Sequence, residues 1–325
     1  MPGFTTHYLF GIKNMKRLRR TDTCCTLLES VGEHQTVFQL GLQGPDLFFY
    51  HLASQIRKIR PGSIVHTRWT GDFLNYLIEA AELFWEKEKR RTAQAYAAGF
   101  IAHYVLDTQM HPYVYCLTGV GEELKQKGYA DHIALESDMD ASLLMRYAGC
   151  RPSQFPYAKT IAFGAKERAV VAEVLYFAYN MVFPELALSK KYLAKAIRSM
   201  QIGTSLTYNP HNYKRKIANM AEQFLFGHAV ISPVIPCDRL QYTEDPLNLR
   251  HMEWYNPWNE QMRSADSVPE LIKEASVRYQ RILRYLDQLY ETDAFCETYD
   301  RILKQIDDLL GHQSYHSGLD WELGE

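Results

Sequence analysis

The sequence predicts an all-α protein, and two observations predict it. Apolar residues recur at three- and four-residue steps through most of the 325 residues, and no segment alternates polar and apolar as a half-buried strand would; one long irregular stretch interrupts the pattern. The length allows one large domain or two small ones around a substantial core.

Taken in order, the elements each have a local reason. LGLQGPDLFFYH sets Asp46 just after a Gly-Pro turn, where a loop can present it. GSIVHTRWTGDFL places His66 at the start of a long helical pattern that continues through WTGDFLNYLIEAAELFWEKEKR. The 92–117 segment, ALESDMDASLLMRYA, KERAVVAEVLYFAYNMVF and KIANMAEQFLFGHAV repeat the helical spacing. The longest apolar stretch, AVVAEVLYFAYNMVFPELAL, contains Glu173, Asn180 and Pro184, which marks a buried helix rather than a membrane span.

From Ile231 to Pro257 the spacing fails, and prolines, aromatics and scattered polar residues make a long connection of the kind that is often functional. It is expected to cross the histidine-bearing face or to link to the terminal helices. His251, Trp254 and Trp258 are its candidates for lining a cleft, with surface packing as the competing reading. The run from Val268 to Leu310 separates charge from Leu, Ile and Tyr, as a solvated hairpin or a partner-binding face would. The tail GHQSYHSGLDWELGE reads as mobile, with His312 and His316 as chance histidines. The expected division is a helical domain over 1–230 that carries the candidate site residues, with 231–325 as the connection and C-terminal helices packed on it.

A formal net charge of −2 and a pI near 6.6 advertise no basic surface for nucleic acid or anionic lipid. MPGFTTHYLFGIKNMKRLRR lacks a basic n-region, an unbroken apolar stretch and a cleavage site, so the expected location is cytoplasmic. The six cysteines contain no C-x-x-C and are expected to be reduced.

The chemistry concentrates in AYAAGFIAHYVLDTQMHPYVY, where His103, Asp107 and His111 form an H-x3-D-x3-H run. Steps of four advance about 400° and rise about 6 Å, so the three side chains make one drifting stripe on a helix. Imidazole and carboxylate are ligands suited to catalytic zinc, and an Asp between two histidines can bridge ions. His132 and Glu136, again four apart, are placed to complete a second ion's shell from a facing helix. The competing reading is a core histidine hydrogen-bonded to a neighbouring carboxylate. The second pair, with Asp46, His66 and His7 upstream, weighs against it.

These residues resemble, in order and spacing over roughly 1–230, the bacterial zinc-dependent phospholipase C family, whose helical fold is shared with single-strand-specific phosphate-ester nucleases. The motifs are THYLFG at His7, GPD at Asp46, the isolated His66, the 103–111 run and H-x3-E at 132–136. The resemblance implies a multi-helix bundle around a buried cluster of two to three zinc ions. Asp46, His66, His103 and Asp107 would hold one, His111, His132 and Glu136 a second, and His7 with the second oxygen of Asp107 a third. In secreted relatives the mature amino terminus completes the third; here the amine of Pro2, exposed by removal of Met1, is the substitute.

Two departures bear on specificity. Three residues separate Asp107 from His111 where the secreted relatives usually have five. The aromatic positions of choline-preferring members are Leu47 and Ser63 here, which leaves Phe48, Phe49 and Tyr50 as candidate pocket residues.

The expected reaction is metal-assisted phosphodiester hydrolysis, a zinc-bridged hydroxide attacking a phospholipid or small phosphodiester, with Asp46 doubling as general base and Asp107 as bridge. Peripheral membrane contact is compatible with it. Two other classes compete. A non-catalytic zinc-bound recognition module would show no chelator-sensitive hydrolysis, and a single-strand nuclease would stack bases on Phe48, Phe49, Tyr50 and Trp69 with strong salt dependence. Asp72, Glu79, Asp131 and Asp138 are candidate partners for the far nitrogens of the histidines.

Overall fold

A computed structural model describes residues 3–20, 25–120, 129–226, 232–294 and 296–323. Among them are fourteen α-helices: α1 Phe4–Arg19, α2 Cys25–Glu33, α3 Gln35–Gly41, α4 Leu52–Gln55, α5 Pro61–Thr67, α6 Thr70–Glu79, α7 Lys87–Thr118, α8 Tyr129–Ala148, α9 Tyr157–Thr160, α10 Ala165–Val182, α11 Lys190–Leu206, α12 Lys214–Phe226, α13 Val268–Glu291 and α14 Glu297–Leu310. Asp46 lies in a 3₁₀ segment, Gly44–Tyr50. The fold is all-α with one addition that the sequence pattern did not reveal. Trp254–Asn256 (β1), at the end of the irregular connection, and Asn259–Ser264 (β2), just beyond it, pair as an antiparallel hairpin. The second strand is almost wholly exposed, so it lacks the alternation that identifies strands.

The organising element is α7, which is apolar on all sides because it is surrounded on all sides. It packs against α1, α2, α3, α8, α10 and α13. The closest crossing is with α3, where Gly41 and Gly99 face one another; a methyl on either would collide with the other helix's backbone. A helix held this tightly is a rigid carrier for the His103–His111 stripe.

Helix α13 begins with a capping box in which Glu270 Oε2 accepts from the Ser267 backbone N–H at 2.8 Å and hydroxyl at 2.5 Å. It lies on α1, α2 and α7, and α14 lies on α6 and α13. One continuous apolar core therefore includes side chains from before and after residue 230.

His66 does not open a long helix. It sits at the C-terminal end of α5, and the chain breaks at Trp69 (φ 52°) before α6 starts. The GSIVHTRWTGDFL spacing ran two short helices together. Cys25, Cys116, Cys150, Cys237 and Cys296 are free thiols, and no described helix is long and apolar enough to cross a membrane. Pro2 and Cys24 lie outside the described residues.

Candidate metal centre

Five parts of the chain bring donor atoms to one place: α1 with His7, the 3₁₀ segment with Asp46, α5 with His66, α7 with His103, Asp107 and His111, and α8 with His132 and Glu136. All eight side chains are buried. Local chemistry explains the placement. Asp140 on α8 accepts from the Thr5 N–H at 3.1 Å, the Thr6 N–H at 2.8 Å and the Thr6 hydroxyl at 2.6 Å, which pins the first turn of α1 and so sets His7. Burial outweighs these bonds and pushes the Asp140 carboxyl up to about 6. Gly44 turns the chain into the 3₁₀ segment at φ 49°, and a Cβ there would run into the His103 ring.

Asp107 is at the middle. Its Oδ1 lies 3.0 Å from His7 Nε2, and its Oδ2 lies 2.9 Å from His103 Nε2 and 3.8 Å from His111 Nδ1. Asp46 Oδ1 is 3.4 Å from His66 Nε2. On the far side, Glu136 Oε1 is 3.3 Å from His111 Nε2 and 3.1 Å from His132 Nε2. The donor atoms form three groups, each with its atoms within 4.8 Å of one another: His7, His103 and Asp107; Asp46, His66 and His103; His111, His132 and Glu136.

Electrostatics favour cations here. Burial penalises the Asp107 charge, yet His103, His111 and His7 hold its carboxyl well below the usual range. Burial likewise opposes the His111 charge, but Asp107 and Glu136 carry that imidazole up to about 9, while His132 and His111 draw Glu136 down to about 2. Asp46 is lowered against its burial by His66 and His103.

The far nitrogens are held by the chain itself. His66 Nδ1 is 2.7 Å from Gly62 O, His103 Nδ1 is 3.1 Å from Leu42 O, and His111 Nδ1 is 2.8 Å from Tyr315 O. His132 Nδ1 stands 3.5 Å from the Thr118 hydroxyl. A carbonyl partner fixes the Nδ1–H tautomer and leaves Nε2 free to ligate. None of the four anticipated carboxylates serves this purpose. Asp138 instead accepts from the backbone N–H groups of Gln241, Tyr242 and Thr243, and Asp72 lies 3.7 Å from His312 Nδ1.

The donor set fits zinc, by type and by what is left unpaired. His7 Nδ1, His103 Nε2, Asp107 Oδ2 and Glu136 Oε2 are buried without a hydrogen bond among the described residues. His103 Nε2 and Asp107 Oδ2 come to 2.9 Å without the alignment of a hydrogen bond. A cavity of about 20 Å³ bounded by His7, Asp107, His111 and Glu136 has room for one ion or water.

Of the anticipated pocket aromatics, Phe48 is a core side chain, edge-on to Tyr179 at 5.5 Å, and offers no face to a ligand. Phe49 has its ring 6.1 Å from that of His66. Tyr50 packs over Gly203 and lines a small cavity with Gly3, Phe4 and Asp140. In the irregular connection, Trp258 meets Tyr115 edge-on at 5.1 Å, and Tyr115 in turn touches His132; His251 is exposed and lies 3.6 Å from Glu270.

The tail is not a bystander. Tyr315 is fully buried with its ring 4.9 Å from His66, and the His316 ring stacks on His66 at 5.6 Å and 25°. Burial, then His66, His111 and His132, hold His316 well below the ordinary imidazole range. Nothing in the tail's composition separates these two residues from a chance pair; the H-x3-H spacing was the available signal.

An all-helical bundle closed around clustered imidazoles and carboxylates is built to hold metal ions. The chain belongs to the zinc dependent phospholipase C family, whose family model matches residues 6–195 and so takes in all eight donors. No curated protein and no solved structure matches it.

Proposed function

We propose that the protein is a zinc-dependent phosphodiester hydrolase of phospholipase C type, acting on a phospholipid or a small phosphodiester. The observation that carries the reading is the position of Asp107, whose Oδ1 faces His7 and whose Oδ2 faces His103, because a carboxylate shared in this way would hold two ions close enough to act on one phosphate. His7 with one oxygen of Asp107 would hold one ion, Asp46, His66 and His103 with the other oxygen another, and His111, His132 and Glu136 the next.

Bound zinc supplies Lewis acidity, lowering the pKa of coordinated water towards about 7 and offsetting charge on the phosphoryl oxygens. The chain does the rest. Asp107 presents its two oxygens to different imidazoles, Asp46 accepts the proton of the attacking water, and the closed bundle keeps bulk solvent from the reacting groups.

A lipid surface is supported by α12. Tyr213 before it and Ile217, Met220 and Phe224 within it follow helical spacing, and all four are exposed, Phe224 at 89%. Lys214 and Lys216 stand at the start of the same helix. An exposed apolar stripe beside lysines is what an interfacial helix presents to a bilayer. The test is hydrolysis of a chromogenic phosphodiester and of phospholipid vesicles by zinc-loaded and chelator-treated protein. Chelator-sensitive turnover that returns with zinc is expected; a zinc-loaded protein that cleaves neither would point to a non-catalytic module.

A further inference from the structure

The family match ends at residue 195, yet the last described segment of the chain reaches the metal centre. After α14 stops at Gly311, residues 311–323 form a strap fixed at many points. At its root, in the last turn of α14, Tyr104 on α7 donates its hydroxyl to Leu310 O at 2.8 Å and Arg278 on α13 donates to Leu309 O at 2.8 Å, and inside the strap the Gln313 N–H donates to the Tyr104 hydroxyl at 3.1 Å. Tyr315 N–H donates to His66 O at 2.8 Å, and Asn256 in β1 donates to Ser317 O at 2.8 Å. Within the strap, Gly318 N–H donates to Ser314 O and Trp321 N–H to His312 O. With Tyr315 fully buried, the strap is a wall of the site rather than a lid.

This wall carries one imidazole to the edge of the donor groups. The His316 ring lies 5.6 Å from that of His66 and 6.1 Å from that of His111, which belong to two different donor groups. It therefore sits over the space between them. It belongs to neither group, since its nitrogens are not among the donor atoms that cluster within 4.8 Å. It is also partly exposed where every one of the eight donors is buried.

We propose that His316 is a substrate-contacting residue of this centre, its imidazole N–H donating to a non-bridging oxygen of the phosphate held by the ions. The inference rests on the function proposed above. Oxygens of a phosphate bound across two ion positions project away from the ligands, and an N–H fixed there meets them without reorganisation. A neutral imidazole suffices, as the interaction needs only the N–H.

The experiment uses the full chain loaded with zinc and inorganic phosphate as the probe. Zinc per chain is measured by elemental analysis and phosphate affinity by calorimetry for the wild type, His316→Phe and His316→Gln. Phe keeps a ring against His66 and Tyr115 but has no N–H; Gln restores a donor. The expected result is unchanged zinc in both variants, phosphate binding weakened about 10- to 100-fold in His316→Phe, as loss of a hydrogen bond to a charged group predicts, and partial recovery in His316→Gln. Unchanged phosphate affinity in His316→Phe would overturn the proposal, and so would a loss of zinc parallel to the loss of phosphate, which would make His316 a ligand. A wild type that takes up no zinc and cleaves no phosphodiester overturns the function itself, a different outcome from either.

Discussion

Replacing Asp107 by Asn strikes a carboxylate that lies against His7, His103 and His111 at once. The carboxylate is 3% exposed and lies within 3.0 Å of His7 Nε2 and 2.9 Å of His103 Nε2, with His111 Nδ1 at 3.8 Å. Asn preserves the volume and one acceptor, but it removes the negative charge and turns an NH₂ towards an imidazole or a cation. Losing only the partner of a ligating histidine already costs about 10–100-fold in metal affinity. Losing a direct ligand is expected to reach at least the upper end, about 2.7 kcal/mol per ion affected. The effect is also expected to be uneven: the groups with His7 and with Asp46 and His66 lose zinc first, and His111, His132 and Glu136 retain theirs longest. The assay is zinc per chain after dialysis against a buffered zinc pool, with helix content by circular dichroism as the folding control. A folded Asp107→Asn chain with wild-type zinc content and turnover would refute the bridging role of Asp107.

Three further outcomes follow from the same geometry. In chelator-treated protein, His111, raised to about 9, contributes stability that is full below about 6.5 and lost as pH rises through 9. Glu136, lowered to about 2, contributes stability present above about 4.5 and lost as pH falls through 2, so the pair stabilises most between pH 4.5 and 6.5; chemical denaturation across pH should show this window shrink in Glu136→Gln and move upward on adding zinc, which competes with protons for the same nitrogens. Gly44→Ala forces an L residue into φ 49° and drives a methyl into the His103 ring, for a loss of about 1–3 kcal/mol or more in urea denaturation together with weakened zinc binding; wild-type values on both would show that the turn relaxes freely. Replacing Ile217 and Phe224 together by Ser should reduce cosedimentation with anionic phospholipid vesicles at least tenfold while leaving turnover of a soluble phosphodiester unchanged, and equal vesicle binding would remove α12 from the interface.

The long helices were legible because each buries a stripe with its own period, and the middle of α7 was legible even though it is buried on every face, because His103, Asp107 and His111 stood four apart in a mostly apolar run. His7, Asp46, His66, His132 and Glu136 were readable as donor types at particular spacings, while their convergence depends on packing between distant elements that periodicity does not encode. The break between α5 and α6 was hidden because Trp69, a residue that rarely adopts positive φ, takes the place a glycine would have marked. The hairpin at 254–264 was hidden by its exposure. The partners of the histidines were missed for a different reason: Gly62, Leu42 and Tyr315 act through backbone carbonyls, which every residue possesses and no sequence pattern distinguishes.

The charge carried by the centre connects its burial to its chemistry. Asp46, Asp107 and Glu136 contribute three negative charges when ionised, and the five imidazoles would ligate as neutral groups. Burying that much uncompensated charge is costly, so the bundle is stable around these carboxylates only when protons or metal ions neutralise them, and metal affinity becomes folding free energy. Two divalent ions would carry the site from −3 to +1 and three to +3. Either total attracts a phosphate anion into a cavity whose chain surface as a whole is at −2. The attraction is therefore local, set by ions held on α7 and its neighbours rather than by a basic surface. Electrostatic capture of the substrate should accordingly vanish with the metal and respond only weakly to salt, whereas capture by a basic groove would do the reverse.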